Sequence, residues 1–380
     1  MVARHARPSS SARRWKWAVV IVIVLVGGGT GAYVAARPAP IIAVHPPTTT
    51  RPPTTTSTTP VVASFTLSAV GDTDLGNTPQ LPVNPTAYLA PVKSALAADI
   101  VFGNLEGTMT AGGYSKCGRA STECYAFRVP PSFAQAYSAT GFTVLNSANN
   151  HSYDYGAVGE ADTSAALRAA GIVQAGLPGQ IGVVHTHGVS VAFVDFAPYA
   201  LTNDLLDFTQ AAHLIARAKS EAEVVVVYMH AGAEGATADQ VTRATEMYVG
   251  ENRGNPYAFA HAVIDDGADL VIASGPHVLR GMQWYKGHLI AYSLGDFTNY
   301  EAFASSGDLS LSAVLHVTMN AHGVLETASV TPIRIQSGGQ AVVDPTHATW
   351  AFMNQLSHGD FGSSAALIGP LGRIAVPAVA

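Results

Sequence analysis

The sequence is poor in charge and in cysteine, and it lacks the motifs of several common enzyme classes. Only 12% of the 380 residues are charged and 48% are hydrophobic, which excludes a disordered protein and allows a sizeable core. No Gly-x-Ser-x-Gly element and no Walker-type loop are present, so serine-hydrolase and P-loop chemistry have little support. No repeat with a period of about 20–50 residues is visible, which argues against a solenoid.

Acidic residues are absent from the first 63 positions, which hold seven of the 20 Lys and Arg residues. The remaining 317 residues therefore carry 13 basic and 26 acidic side chains, a formal charge of −13. A surface of this sign argues against a protein that binds nucleic acid or another anionic polymer through a basic face. Bound cations would offset part of this charge.

An uncharged run at residues 17–36 follows a basic segment at 1–16. Twenty apolar residues suffice for one helix across the hydrocarbon core of a membrane, about 30 Å. Because the basic residues precede the run, we expect a cytoplasmic tail at 1–16, a transmembrane anchor at 17–36 and an extracytoplasmic domain. A cleaved signal peptide with a weak site at Val34–Ala36 is the alternative, and it predicts the same side of the membrane.

Residues 37–63 are rich in Pro and Thr, a composition typical of an extended linker. We expect one domain at 64–340 and a C-terminal extension with a short helix at 341–380. The two cysteines, Cys117 and Cys124, lie in one Gly- and Ser-rich segment. Outside the cytoplasm a disulfide between them is expected; a zinc pair is the lesser alternative, because no His or further Cys lies nearby in sequence.

Short apolar strands alternate with amphipathic helices from residue 64 onward, a pattern that predicts an α/β fold. The first strand is expected at Phe65–Val70 and is followed by a helix near Thr86–Ala97. Further strands are expected at Ile100–Gly103, Thr143–Ser147, Val224–Tyr228 and Asp269–Ala273.

Polar residues follow these strands in a regular way. They are Asp72 and Asp74 after the first strand, Asn104 and Glu106 after the second, Asn150 and His151 after the third, and His230 and His277 after two later ones. Ligands of α/β sheets bind at the carboxyl ends of strands, so these side chains are expected to share one crevice. Together they suit Zn, Mn or Fe better than Ca. The structural alternatives are turn chemistry for the aspartates and a hydrogen-bonded core position for the histidines.

In this order the motifs resemble the bacterial CapA capsule-synthesis (poly-γ-glutamate synthesis) family, whose domain is similar to calcineurin-like metallophosphatases. The matching motifs are Gly71-Asp72 with Gly76, Asn104-Leu105-Glu106, Ala148-Asn149-Asn150-His151 with Asp154, His230-Ala231-Gly232 with Glu234, Ala268–Ile272 with Pro276-His277, and Ala291–Gly295. The resemblance implies a metallophosphatase-like layered α/β/β/α sandwich. It also implies a role in capsule or envelope-polymer assembly, with the synthesis machinery as partner. The alternative is a metal-dependent hydrolase of phosphoester or amide bonds.

The resemblance also implies roles for individual residues. One divalent ion (Mn, Zn or Fe) would be bound by Asp72, Glu106 and His277, and a second by Glu106, Asn150 and His230. His151 would be the catalytic proton donor or an oxyanion contact.

The chain departs from the pattern of the family at three positions. Gly275 stands where a His is usual, Ala231 where an aromatic residue is usual, and Asp296 where an Asn is usual. Asp74 occupies the place of a phosphatase His and could serve as an oxygen ligand. The second ion is therefore expected to be weakly bound or absent.

Overall fold

The computed structural model describes residues 62–118, 124–301 and 306–378. The strands of the first half are β1 (Ser64–Asp74), β2 (Ile100–Leu105), β3 (Thr108–Met109), β4 (Arg128–Val129), β5 (Val144–Asn146), β6 (Val173–Ala175), β7 (Gly182–Thr186), β8 (Val189–Ala197), β9 (Asn203–Asp204) and β10 (Val224–His230). Those of the second half are β11 (Met247–Tyr248), β12 (Glu251–Asn252), β13 (Leu270–Ser274), β14 (Met282–Tyr285), β15 (His288–Ala291), β16 (Asp296–Asn299), β17 (Leu311–Asn320), β18 (Leu325–Ile335), β19 (Ala341–Val343) and β20 (Arg373–Ile374).

Six α-helices connect the strands of these ranges. They are α1 (Pro85–Leu89), α2 (Ala134–Thr140), α3 (Gly156–Ala169), α4 (Phe208–Glu221), α5 (Pro256–Asp265) and α6 (Ala348–Phe361). Short 3₁₀ helices lie at Ala90–Leu96, Pro131–Phe133, Gly307–Ser310, Gly362–Ser364 and Pro370–Gly372.

Two mixed sheets form the body of the domain. The first has nine strands in the order β19-β18-β17-β1-β2-β5-β6, with β16 paired to β1 and β20 to β18. The second has seven strands in the order β14-β15-β13-β10-β8-β7, with β9 paired to β8. In each sheet the central strands run parallel, β1-β2-β5-β6 in one and β8-β10-β13-β15 in the other. Their carboxyl ends therefore line up along one edge of each sheet, where ligands bind in such folds.

The two sheets pack face to face around an apolar core. Phe102 of the first sheet stacks on Phe193 of the second, with ring centroids 5.4 Å apart, and also contacts Tyr228. Helices α4 and α5 cover the outer face of the second sheet, and α2 and α3 that of the first. The predicted α/β/β/α layering is therefore confirmed.

Two sequence expectations need correction near the site. The first strand does not stop at Val70 but continues to Asp74, because β16 pairs in parallel with its end and aligns Asp72 with Asp296. The segment expected as one helix at 86–97 is instead the short α1 followed by a 3₁₀ turn that contains Pro91. Proline lacks the amide hydrogen that a continuing α-helix requires.

The segment expected as a C-terminal extension contributes to the core of the domain. Strands β19 and β20 pair with β18, and Met353 of α6 is fully buried in the core between the sheets. The predicted tail, anchor and nearly all of the predicted linker lie outside the described residues. Within the described ranges, no helix has the length and apolar character needed to span a bilayer.

Candidate metal centre

Three buried residues from three strand ends come together at the common edge of the sheets. Asp72 lies near the end of β1, Glu106 directly after β2, and His277 three residues after β13. One ligand atom from each lies within 4.8 Å of the other two, and this group could hold a metal ion. The structure therefore assembles the first of the two predicted ligand sets.

Asp72 is held by hydrogen bonds from both sheets. Its carboxylate accepts from Asn104 Nδ2 (2.7 Å), the Gly275 amide (3.1 Å) and the Ser274 hydroxyl. Burial raises the pKa of Asp72, but the hydrogen bond to His277, the charge of His277 and the hydrogen bond from Ser274 outweigh it and lower the pKa to about 2. Asp72 is therefore an ionised carboxylate in a fixed orientation.

Asn104 connects three neighbouring strand ends of the first sheet. Its side chain donates to Asp72, and its Oδ1 accepts from Asn146 Nδ2 (2.6 Å) and Asn149 Nδ2 (2.8 Å). The predicted site residue Asn104 is thus a buried positioning group, since all of these contacts are within the protein.

Glu106 is the most exceptional residue of the group. It is fully buried, and neither carboxylate oxygen has a hydrogen-bond partner among the described residues. Its Oε1 instead faces the Nε2 atoms of three histidines, His277 at 3.7 Å, His230 at 3.9 Å and His151 at 4.0 Å. These separations are too long for hydrogen bonds. They suit atoms that share an ion, because ligands about 2.1 Å from a metal lie roughly 3 to 4 Å from each other.

The electrostatics of Glu106 agree with a cation site. Burial, together with the nearby carboxylate of Asp72, raises the pKa of Glu106 well above its ordinary value. A buried carboxylate without hydrogen bonds is costly unless a cation compensates it. The residues present therefore fit a divalent ion.

His277 is fixed by carboxylates on one ring nitrogen, and its other ring nitrogen faces Glu106. Its Nδ1 lies 2.7 Å from Asp296 Oδ1 and 3.3 Å from Asp72 Oδ2, so Nε2 points toward Glu106. Burial opposes protonation, but Glu106 and Asp296 raise the pKa of His277 well above its ordinary value. A carboxylate on the far nitrogen is the usual way to orient a metal-binding histidine.

The backbone at His277 has φ of 59°, in the left-handed region that non-glycine residues rarely occupy. Strain of this kind is concentrated at functional sites.

Sequence reasoning noted Asp296 only as a departure from the usual Asn and gave it no role. That departure was the available signal for a role of Asp296, because Asp in place of Asn adds a negative charge at a position that contacts His277.

The second predicted ligand set is present in part. His230 is fully buried, and burial lowers its pKa well below the ordinary value, so it is a neutral imidazole. Its Nε2 and the Oδ1 of Asn150 are both buried and lack hydrogen-bond partners within the described part of the chain. His230 Nε2 lies 3.9 Å from Glu106 Oε1, a separation at which these two atoms could share a second ion.

Gly275 stands where the family resemblance implies a histidine, and its backbone and surroundings suit glycine. Its φ of 111° suits glycine, and a Cβ there would lie 3.1 to 3.2 Å from the His230 ring. A histidine at this position would press on the imidazole that it is supposed to assist. A side chain at position 275 would therefore have to displace the His230 ring by a few tenths of an ångström.

His151 forms a hydrogen-bonded pair with Asp154. Its Nδ1 lies 2.8 Å from Asp154 Oδ2, and its Nε2 faces Glu106. Burial lowers the pKa of His151, and Asp154 only partly offsets this effect. The predicted catalytic histidine thus borders the centre with one ring nitrogen free of Asp154.

Asp74 and Glu234 lie at the margin of the centre. Asp74 accepts from the Gly76 amide at 2.7 Å, and burial raises its pKa well above the ordinary value. It is not part of the three-residue group, so its predicted role as a ligand stays a prediction. Glu234 forms an ion pair with the buried Arg253, and its other oxygen lies 3.8 Å from His277 Nε2.

The expected disulfide between Cys117 and Cys124 is present.

Fold and site together describe a layered α/β protein with a buried candidate metal centre at its strand ends. The family model described as "Bacterial capsule synthesis protein PGA_cap" matches residues 66–301, which include every predicted metal ligand. The chain belongs to this family of bacterial capsule synthesis proteins.

Similar proteins of known name agree with this assignment. The chain is 30% identical to "PGA biosynthesis protein CapA" of Bacillus subtilis (strain 168) over 276 residues, 67% of this chain and 66% of that protein. It is 31% identical to "Capsule biosynthesis protein CapA" of Bacillus anthracis over 224 residues, 54% of this chain and 50% of that protein. The chain thus spans half to two thirds of the length of these relatives.

Among solved structures, the NAD nucleotidase of Haemophilus influenzae is similar with a TM-score of 0.39 and 12% identity, over 75% of this chain and 60% of that one. The TM-score is low, so the fold assignment rests on the sheet topology described above.

Proposed function

We propose that this chain is a membrane-tethered extracytoplasmic protein of capsule or envelope-polymer synthesis, with poly-γ-glutamate as the polymer. The observation that carries the proposal is the family match over 66–301, which spans all the strand-end motifs. The names of both Bacillus relatives refer to PGA or capsule biosynthesis. The synthesis machinery of the polymer is the proposed partner.

The proposed location follows from the sequence and agrees with the cysteine chemistry. The basic segment before the uncharged run at 17–36 favours a cytoplasmic N-terminus. The Cys117–Cys124 disulfide supports an oxidising compartment, since such bonds are rare in the cytoplasm.

A second function, metal-dependent hydrolysis, is favoured by a specific observation. Glu106 Oε1 and Oε2, His230 Nε2 and Asn150 Oδ1 are all buried without hydrogen-bond partners in the described residues, beside the ionised Asp72. Polar atoms in a protein interior are almost always paired, so this cluster needs a ligand. Oxygen and imidazole donors together suit Mn, Zn or Fe.

The residues of the chain would divide the work of hydrolysis as follows. A divalent ion would polarise a phosphoryl or carbonyl oxygen and make water more acidic. Asp72, Glu106 and His277 would hold the ion. The Nδ1–H group of neutral His151 donates a hydrogen bond to Asp154, which leaves Nε2 as the atom that takes up a proton and returns it to a leaving group.

The test uses the full chain purified in detergent. Bound metal is measured by elemental analysis, and hydrolysis of a phosphodiester and of a γ-glutamyl peptide is assayed with added Mn or Zn. Stoichiometric metal, with both metal and turnover lost in Glu106→Gln, supports the hydrolase. Metal-free wild-type protein without turnover would overturn it.

The polymer role is tested in cells that lack this chain. Wild-type chain should restore surface polymer, measured by its released glutamate, and failure to restore it contradicts the role. Restoration by Glu106→Gln as well would separate polymer assembly from catalysis.

A further inference from the structure

The loop between β3 and β4 carries the disulfide and reaches over the His151–Asp154 pair. Its base is fixed by pairing of Thr108 with Arg128 and of Met109 with Val129. The Cys117–Cys124 bond closes the loop further out. This bond joins two arms, the first ending at Cys117 and the second beginning at Cys124. Both arms contact the buried carboxylate of Asp154.

On the first arm, Lys116 directly precedes Cys117. Its Nζ forms an ion pair with Asp154 Oδ1 (2.6 Å) and donates to the carbonyl of Asn150 (2.8 Å). Its backbone amide donates to the carbonyl of Asp154 at 2.7 Å. One lysine thus contacts both the partner of His151 and the backbone of a predicted metal ligand.

On the second arm, Phe127 follows Cys124 by three residues. Its amide donates to Asp154 Oδ2 at 2.6 Å, the same oxygen that His151 Nδ1 contacts. Its ring packs against the His151 imidazole, with centroids 4.6 Å apart. The second arm therefore touches both members of the pair.

Asp154 is completely buried, and a buried carboxylate depends on the groups that compensate it. Besides His151, two groups contact the Asp154 carboxylate. They are the ammonium of Lys116 on the first arm and the backbone amide of Phe127 on the second. If the arms separate, Asp154 loses the two groups that orient its carboxylate. His151 then loses the fixed hydrogen-bond partner that orients its ring.

We propose that Lys116 and the Phe127 amide, joined through the Cys117–Cys124 disulfide, are positioning groups that hold Asp154 and His151 against the metal centre. The consequence for turnover rests on the proposed hydrolase function. The consequence for the position of His151 does not, because it follows from the contacts alone.

The first test alters Lys116 in the full-length protein. Lys116→Met removes the ammonium at similar length, Lys116→Arg restores a cation, and Lys93→Met is the matched control, since Lys93 donates to the carbonyl of Ala139 away from the site. We expect Lys116→Met to lower kcat about tenfold with little change in KM, the size of effect seen when partners of active-site ligands are lost. Lys116→Arg should recover most of it, and Lys93→Met should match wild type.

The second test breaks the disulfide. Dithiothreitol cleaves the S–S bond to two thiols and is itself oxidised to a cyclic disulfide. The only two cysteines of the chain form this bond, so an effect of dithiothreitol that is absent from a Cys117→Ser/Cys124→Ser variant acts at the disulfide and not by chelation of the metal. The readout is the rate at which diethyl pyrocarbonate modifies His151, measured by peptide mass spectrometry, because His151 is only 5% exposed. The Cys117→Ser/Cys124→Ser double variant serves as the control that should not respond to dithiothreitol.

We expect reduction, and Lys116→Met without reduction, to raise the modification rate of His151 severalfold. Faster modification in a chain that shows no turnover would support the positioning role while the hydrolase proposal fails. Unchanged modification of His151 in both reduced wild type and Lys116→Met would overturn the positioning role, whatever the turnover. If the double variant does not fold, the Lys116 series decides the question.

Discussion

The two sheets contribute unequal halves to the candidate metal centre. The first-sheet half has Asp72, Asn104 and Glu106 at the ends of β1 and β2 and has Asn150 and His151 in the turn after β5, and Asn104 hydrogen-bonds to Asp72 and Asn146. The second-sheet half consists of His230, the last residue of the parallel strand β10, and His277, which lies on a turn in which Gly275 and His277 both have positive φ. Strand pairing fixes the first half and His230, whereas His277 is oriented by the carboxylates of Asp72 and Asp296 on a turn with positive φ.

Glu106 joins the two halves, and its removal should have the largest effect. Glu106→Gln is expected to lower metal-dependent turnover at least about a hundredfold, the lower range for loss of one electrostatic group from an active site. In chelator the same variant should unfold at a temperature no lower than wild type, because a buried carboxylate without partners is replaced by a neutral amide. Calorimetry with and without Mn or Zn measures both states. A wild type that gains no stability from either metal would contradict the role of Glu106.

Asp296 tests whether carboxylates hold the second half in place. Asp296→Asn restores the residue usual in the family and removes the charge next to His277 Nδ1. We expect metal affinity to fall about 10- to 100-fold, as for other residues that orient metal-bound histidines. Titration against a fluorescent chelator measures the change. Asp344→Asn, at a distant buried aspartate paired with Arg334, is the control and should leave metal affinity unchanged.

The candidate ligands of both halves could be predicted from the sequence, but the contact that orients His277 could not. Apolar strands followed by Asp72, Glu106 and His151 predicted both the fold and the convergence. Strand β16 was not predicted, because Asp296–Asn299 is short and polar and becomes a strand only by pairing with the end of β1. The contact between Asp296 and His277 depends on that pairing. Lys116 gave no signal either, since a lysine in a Gly- and Ser-rich loop has no periodic pattern.

Asp195 offers a second-sheet counterpart to Asp72. Both are buried aspartates, but neither oxygen of Asp195 has a hydrogen-bond partner among the described residues. Burial raises the pKa of Asp195 well above the ordinary 3.8, so the folded state retains a proton that the unfolded chain releases. The contribution of Asp195 to folding stability is therefore fully present below pH 3.8 and is lost as the pH rises toward the higher pKa of the folded state.

Asp195→Asn should remove the part of the pH dependence that Asp195 contributes, while Asp74 and Glu106, whose pKa values burial also raises, keep their parts. At neutral pH we expect the variant to be more stable than wild type by about 1–3 kcal/mol, the cost of a buried polar group that lacks its hydrogen bonds. Urea unfolding in chelator at pH 4 and pH 7 measures the difference. Equal pH slopes for variant and wild type would show that Asp195 is compensated.

The smallest expected effect concerns Gly275, where the comparison between the halves is most direct. Gly275→Ala isolates the backbone and should cost about 1–2 kcal/mol of unfolding free energy, because an L-residue resists the left-handed region. Gly275→His supplies the ligand usual in the family at the same backbone position. We expect it to be at least as destabilising as Gly275→Ala and to add no second ion, since its Cβ would press on the His230 ring. Urea unfolding and elemental analysis of the pair measure both quantities. An additional stoichiometric metal ion in Gly275→His would show that the turn can relax, and that the two halves differ by sequence alone rather than by shape.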